Sequence, residues 1–188
     1  MEQLRKYSKN EILTHTEKIF DPWQIVQSDV EILDIAHALS LITRANGHLH
    51  HFYSVAQHSV NCAKEAAARG HSLIVQLACL THDAAECYVA DVPRPVKHRL
   101  VGYVDLEDMI LGVVWAAFGL GDLTDEEKRQ VFDIDDAMLF HEFLVLKNTR
   151  LRETAPSIAM EHDFSQRDMG EVEKEFLDMF SELSAAVK

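Results

Sequence analysis

The sequence predicts an all-α protein, and three observations carry that prediction. Apolar residues recur at helical spacing in successive segments from Val30 onward. Two segments open with the pattern of a capping box, Ser54-x-x-Gln57 and Thr124-x-x-Glu127. No segment alternates apolar and polar residues convincingly enough to make a strand, so the class is all-α.

The elements follow in order. Residues 1–22 mix polar and apolar positions and end on Asp21-Pro22, a boundary signal, so a loose N-terminal arm is expected, with a short extended piece near Lys18–Phe20. Between Val30 and Arg44, residues Ile32, Leu33, Ile35, Ala36, Leu39 and Ile42 mark a helix with Asp29 as its cap, stopped by Asn46-Gly47. A connector rich in histidine, with His48, His50 and His51, leads to a helix from Ser54 to about Arg69 that carries His58 near its start. Ser72 opens the next helix, which is expected to run unbroken through Leu77, Leu80, His82, Asp83 and Glu86. Asp91-Val92-Pro93-Arg94-Pro95 then enforces an extended turn, because proline fixes φ and restricts the residue before it. Helices are predicted over Val104–Phe118, from Thr124 to about Lys147, and over about 166–187, the last with Met169, Val172, Phe176, Phe180 and Leu183 as its stripe. These stripes read as core.

At 188 residues the chain suits a single domain with a substantial core. Its formal charge of −13 disfavours nucleic acid polymers and anionic membranes, while leaving room for a small phosphorylated ligand in a locally cationic pocket. No apolar run reaches the roughly 20 residues that span a bilayer, and the polar segment Met1–Asn10 does not resemble a secretory leader. Cys62, Cys79 and Cys87 form no close pair, which points to free thiols and a cytoplasmic setting.

The residues that carry chemistry centre on His82-Asp83. Helical neighbours diverge by about 100°, so an ion held by both lies between their two directions; Glu86, near 40° on the same wheel, overlies that sector. A His-Asp step alone is more often a surface pair, and His162-Asp163, in a polar stretch before Ser165, reads as a solvated loop. His58 is the best further histidine for a metal site. The last carboxylate is Asp135 or Asp136; Asp135 is favoured because it shares the side of Met138 and Leu139. Cys79, near 60° on the His82 wheel, reads as small core filler.

The order His58, His82-Asp83, Asp135 resembles the ligand set of the HD-domain metal-dependent phosphohydrolases. The segment Arg44-Ala45-Asn46-Gly47-His48-Leu49-His50-His51-Phe52-Tyr53-Ser54-Val55-Ala56-Gln57-His58 is similar to a signature of the phage and bacterial 5′-nucleotidase-like branch of that family. So is the segment from His82-Asp83-Ala84-Ala85-Glu86 through Asp91-Val92-Pro93-Arg94-Pro95-Val96-Lys97. The resemblance covers about residues 30–145 and implies an HD-domain helical bundle. It implies one divalent transition ion (Mn, Co, Fe, Ni or Zn) on His58, His82, Asp83 and Asp135, with Glu86 and Asp91 as the acidic pair and Arg44 as phosphate clamp. Lys97 adds charge at the pocket mouth or is a solvated helix-start lysine. Ala45 stands where some members place an aromatic residue against the sugar, which leaves sugar selectivity open.

The implied activity is release of phosphate from (deoxy)nucleoside monophosphates. Other hydrolyses by the same core (dNTP triphosphohydrolase, nucleotide pyrophosphohydrolase, cyclic-nucleotide phosphodiesterase) and a non-catalytic nucleotide-sensing module are the rivals. A di-iron oxygenase needs two more histidines between Asp83 and Asp135, where only His98 stands. The resemblance also implies a homodimer. Val113, Val114, Trp115 and Phe118 could form one face of it or belong to the core, and the His48/His50/His51 group could be a second metal site, a pocket gate or an exposed connector.

Overall fold

A computed structural model gives the structure of residues 8–187; the first seven positions of the expected arm, and with them most of the Met1–Asn10 segment, lie outside the described residues. The fold is helical. In chain order it has a two-residue ribbon, β1 (Ile12–Leu13) and β2 (Ile19–Phe20), then α1 (Ile32–Leu41), α2 (Val55–Ala68), α3 (Leu73–Thr81), α4 (Glu86–Val89), α5 (Arg94–Lys97), α6 (Tyr103–Ala117), α7 (Asp125–Lys147) and α8 (Met169–Val187). Helix α2 packs on α3, α7 crosses both, and α8 covers α1, α2 and α3. A core cluster from Phe20 to Leu183 runs through the bundle, with Ile35, Leu39, Leu77, Leu80, Ile110, Ile134 and Phe176 fully buried. Among the described residues no helix is long and apolar enough to cross a membrane.

Residues 8–22 are not loose. Ile12 pairs with Phe20 and Leu13 with Ile19 across an antiparallel ribbon. The backbone N–H and hydroxyl of Thr16 both donate to the Asp34 carboxylate, at 2.6 and 2.9 Å. Phe20 is buried and meets Tyr88 edge-on. Phe20, Ile12 and Pro22, with the buried Asp34 carboxylate, dock the arm, and none of them gives a period.

Helix boundaries depart from the sequence pattern where side chains are drawn into other work. Helix α1 ends at Leu41, not at Asn46, because Thr43 bridges to Ser54 and the Arg44 N–H donates to the Tyr53 carbonyl at 2.9 Å. Asp29 caps the preceding 3-10 turn, accepting from the Val26 N–H at 3.0 Å, and not α1. The Thr124 box is complete, whereas at Ser54 only the hydroxyl half forms; the Gln57 amide instead donates to the Asp163 and Ser165 carbonyls. Helix α8 starts at Met169, with the Asp168 carboxylate taking the Gly170 and Glu171 N–H groups. Met169 of the expected stripe is exposed, while Val172, Phe176 and Leu183 are buried.

His162 also departs from expectation. It sits in a loop, but its side chain is fully buried against Glu65, with Nε2 donating to Oε2 at 2.8 Å. On α6, Val114 is buried, and Val113, Trp115 and Phe118 pack against the core, Phe118 edge-on to Phe180.

Candidate functional site

The site is built where α2, the α3 end and α7 meet. His58 lies one turn into α2 and is completely buried. His82 caps the C-terminus of α3. Beyond it the chain does not continue as a regular helix: Ala84 N–H bonds to Thr81, Glu86 to Asp83, Cys87 to Ala84 and Tyr88 to Ala85, all three residues back. This tightening to about three residues per turn eclipses positions three apart, so Asp83 and Glu86 stand on the same side. The expected unbroken helix is therefore corrected, and the shared sector of Asp83 and Glu86 is tighter than a regular helix would give.

Four side chains converge. His58 Nε2 lies 3.2 Å from His82 Nε2, 3.2 Å from Asp135 Oδ1 and 3.7 Å from Asp83 Oδ2. His82 Nε2 lies 3.4 Å from Asp83 Oδ1 and 3.6 Å from Asp135 Oδ1. Donors bound to one ion at about 2.0–2.2 Å keep neighbours roughly 3–3.6 Å apart, so these spacings match a shared cation. Asp136, by contrast, points away and pairs with Arg94 at 3.5 Å and Arg152 at 2.7 Å.

The tautomers fit the same conclusion. His82 Nδ1 donates to the Cys79 carbonyl at 2.7 Å, and His58 Nδ1 donates to Glu142 Oε1 at 2.5 Å. With both Nδ1 protons committed outward, the two Nε2 atoms face each other as lone pairs unless a proton or a cation lies between them. The electrostatics favour positive charge at that point. Burial and Arg44 oppose the imidazolium of His58, but Cys62, Glu142 and Asp135 hold its pKa well above the ordinary range. Burial likewise opposes that of His82, and Asp83 and Asp135 raise it. Against its own burial, Asp135 is held well below the carboxylate range by hydrogen bonds from both histidines. His58, Cys62 and His82 also form a compact group, with ligand atoms within 4.8 Å of one another, that could hold a metal ion.

Beside this centre opens a cleft of about 330 Å³. Its lining includes Arg44, Arg94 and Lys97 together with Asp83, Glu86, Asp91, Asp135 and Glu142, three cations and five carboxyl groups. The rest of the lining includes the apolar Val92, Pro93, Leu139, Phe143 and Leu151. Arg44, nearly buried, donates from Nη1 to Asp83 at 3.0 Å and from Nη2 to Glu142 at 3.4 Å. The turn that carries it has positive φ at Ala45 (53°) and Asn46 (50°), and the Ala45 N–H donates to Asp91 Oδ2 at 3.2 Å. Ala90, just before Asp91, also has positive φ (71°), in a region that disfavours residues with a Cβ.

Glu86 is buried, and its Oε2 has no hydrogen-bond partner among the described residues. Burial, then Asp83 and Asp91, push its carboxyl well above the usual range. Lys97 is not a solvated lysine: its Nζ donates to Glu107 at 2.7 Å and lies 3.9 Å from Glu86.

Sequence reasoning missed Glu142 and Arg94. Glu142 is seven residues after Asp135 and lies on the same α7 face, together with Leu139 and Phe143 at the cleft. Arg94 donates to Asp135 Oδ2 at 3.0 Å and lies over the Phe132 ring. The histidine connector does not line the cleft: Leu49 does, while His48 and His50 are exposed and His51 bonds the Phe164 carbonyl at 2.9 Å. All three cysteines are free thiols, with Cys62 and Cys79 buried. Burial raises the Cys62 thiol to a pKa of about 11.

No family model matches the chain. Over 112 residues it is 41% identical to the uncharacterized protein YfdR of Escherichia coli K12, which covers 58% of each chain. Over 98 residues it is 42% identical to an uncharacterized protein of Rhodobacter capsulatus, which covers 49% of this chain and 50% of that one. The chain thus spans little more than half the length of these relatives, and neither name states an activity.

Proposed function

We propose that this chain is a metal-dependent phosphohydrolase, and that its preferred reaction is release of phosphate from (deoxy)nucleoside monophosphates. The observation that carries the reading is the convergence of His58, His82, Asp83 and Asp135 at 3.2–3.7 Å beside a cleft holding Arg44 and a buried Glu86. Those four residues would hold one divalent transition ion (Mn, Co, Fe, Ni or Zn), whose mixed imidazole and carboxylate donors suit such ions better than Mg. When bound, that ion supplies a Lewis acid that acidifies water and offsets charge on phosphoryl oxygens.

The chain's own groups do the rest. Arg44 presents a planar fork, braced by Glu142 from behind, that binds and orients a phosphate. Asp91 fixes the turn that carries Arg44 through the Ala45 N–H. Lys97 and Arg94 add positive charge to the cleft. Glu86 hands its proton to the departing nucleoside oxygen and is restored by the proton that the attacking water sheds. The apolar lining at Leu139 and Phe143 receives the nucleoside and thins water around the reacting phosphate. A volume of about 330 Å³ is near the low end of the roughly 300–1,000 Å³ of small-molecule sites, which favours a monophosphate over a triphosphate.

The test is phosphate release from nucleoside mono-, di- and triphosphates by metal-stripped protein with Mn, Co, Ni or Mg restored. Metal-dependent release from monophosphates is expected, lowered at least about a hundredfold in Glu86→Ala while the ion is retained. No release from monophosphates with any metal, in protein shown to hold an ion, overturns the reading in favour of a di- or triphosphate hydrolase or a nucleotide-sensing module.

A further inference from the structure

Cys62 has no part in the reaction above, yet its sulfur lies 3.4 Å from His58 Nε2, the atom aimed at the shared centre. It is four residues after His58 on α2, so the two side chains share a helix face. It is 1% exposed and is not among the residues that line the cleft, so it approaches the centre from the core side. Asp135 Oδ1 lies 3.2 Å from His58 Nε2 and 3.6 Å from His82 Nε2. In a tetrahedral site with sulfur at about 2.3 Å and nitrogen at about 2.0–2.1 Å, donor atoms stand roughly 3.3–3.6 Å apart. His58, His82 and Asp135 stand at about that spacing from one another, the Cys62 sulfur stands at it from His58, and the ligand atoms of His58, Cys62 and His82 all lie within 4.8 Å of one another.

We infer that the centre has two overlapping donor sets: one with Asp83, open to the cleft, and a second with Cys62 that takes a soft ion such as zinc and closes the site. The inference rests on the metal-centre reading above. Thiolate selects soft ions, whereas harder ions such as manganese favour the carboxylates. Binding through sulfur releases the thiol proton to solvent. Asp83 is then left to Arg44, to which it is already bonded at 3.0 Å. Four protein donors around one tetrahedral ion leave no position for water or phosphate, so an ion held through Cys62 is idle, and zinc, which favours that set most among the ions named above, is expected to support the least release.

Cobalt(II) titrated into metal-free wild-type protein tests this without reference to turnover. A near-ultraviolet sulfur-to-cobalt charge-transfer band is expected in the wild type and is expected to vanish in Cys62→Ser, and zinc should displace cobalt from the wild type at least about tenfold more readily than from the variant. Cobalt ligand-field bands without the sulfur band would overturn the second donor set and leave the metal centre standing. No bound cobalt at all would overturn both. If Cys62→Ser fails to fold, the wild-type spectrum still decides the question.

Discussion

One carboxylate on α7, Glu142, braces two side chains of the candidate site: Oε1 accepts a hydrogen bond from His58 Nδ1 and Oε2 one from Arg44 Nη2. Against burial, His58 and Arg44 hold it below the usual carboxylate range, so it stays charged and fixes His58 with Nε2 free. Glu142→Gln keeps an oxygen for Nδ1 but loses the charge. Manganese affinity is expected to fall about tenfold, the low end of the 10–100-fold effect of such supporting residues, in calorimetric titration; an unchanged affinity would remove Glu142 from the site. His58, His82, Asp83, Glu86 and the preference for Asp135 over Asp136 were legible because each carries chemistry in its letter and its spacing. Glu142 offered a signal, its seven-residue spacing from Asp135. Arg94 offered none, because the two prolines point to an extended turn where the short helix α5 begins at Arg94, and its aim depends on that helix. Cys62 was read only as a free thiol, and its approach to His58 emerges when α2 is placed against the end of α3.

At the level of elements, the long stripes were legible and the junctions were not. Helices α2 and α7 fall close to their predicted bounds because their apolar faces and caps agree, and α6 does so on its apolar face alone. The end of α1 shifts because Thr43 and Arg44 take partners at Ser54 and Tyr53, and that of α3 because the backbone after Thr81 tightens to bonds three residues back; no period announces either. The segment before α8 is the clearest case. Glu65 on α2 is fully buried and accepts from the Arg69 Nε at 2.7 Å, the Ala159 N–H at 2.8 Å and His162 at 2.8 Å, tying that segment to the helix that carries His58. Burial raises the Glu65 carboxyl, but hydrogen bonds from His162, Arg69 and Ala159 outweigh it and lower the pKa. A carboxylate with a depressed folded-state pKa contributes stability above the ordinary glutamate value of about 4.3, and loses it as pH falls through the lower folded value. Glu65→Gln should therefore cost about 1–3 kcal/mol in urea unfolding at pH 7, and the gap should narrow near pH 3. A gap that is the same at both pH values would contradict this role.

For the molecule as a whole, a formal charge of −13 disfavours polyanions, while the cleft gathers three cations and five carboxyl groups beside paired histidines. A divalent ion at the proposed centre would cancel the local excess of negative charge and leave the arginines and lysine to meet the phosphate of the proposed substrate. The account stands or falls on whether the four converging side chains hold one ion, and Asp135 and Asp136 offer an internal control on neighbouring positions of α7. The deciding measurement is calorimetric titration of manganese into metal-free wild type, Asp135→Asn and Asp136→Asn. The account predicts one ion per chain, an affinity lowered by more than about a hundredfold in Asp135→Asn, beyond the effect of a supporting residue, and a change of only about a few fold in Asp136→Asn. No binding by the wild type, or equal binding by wild type and Asp135→Asn, would contradict it.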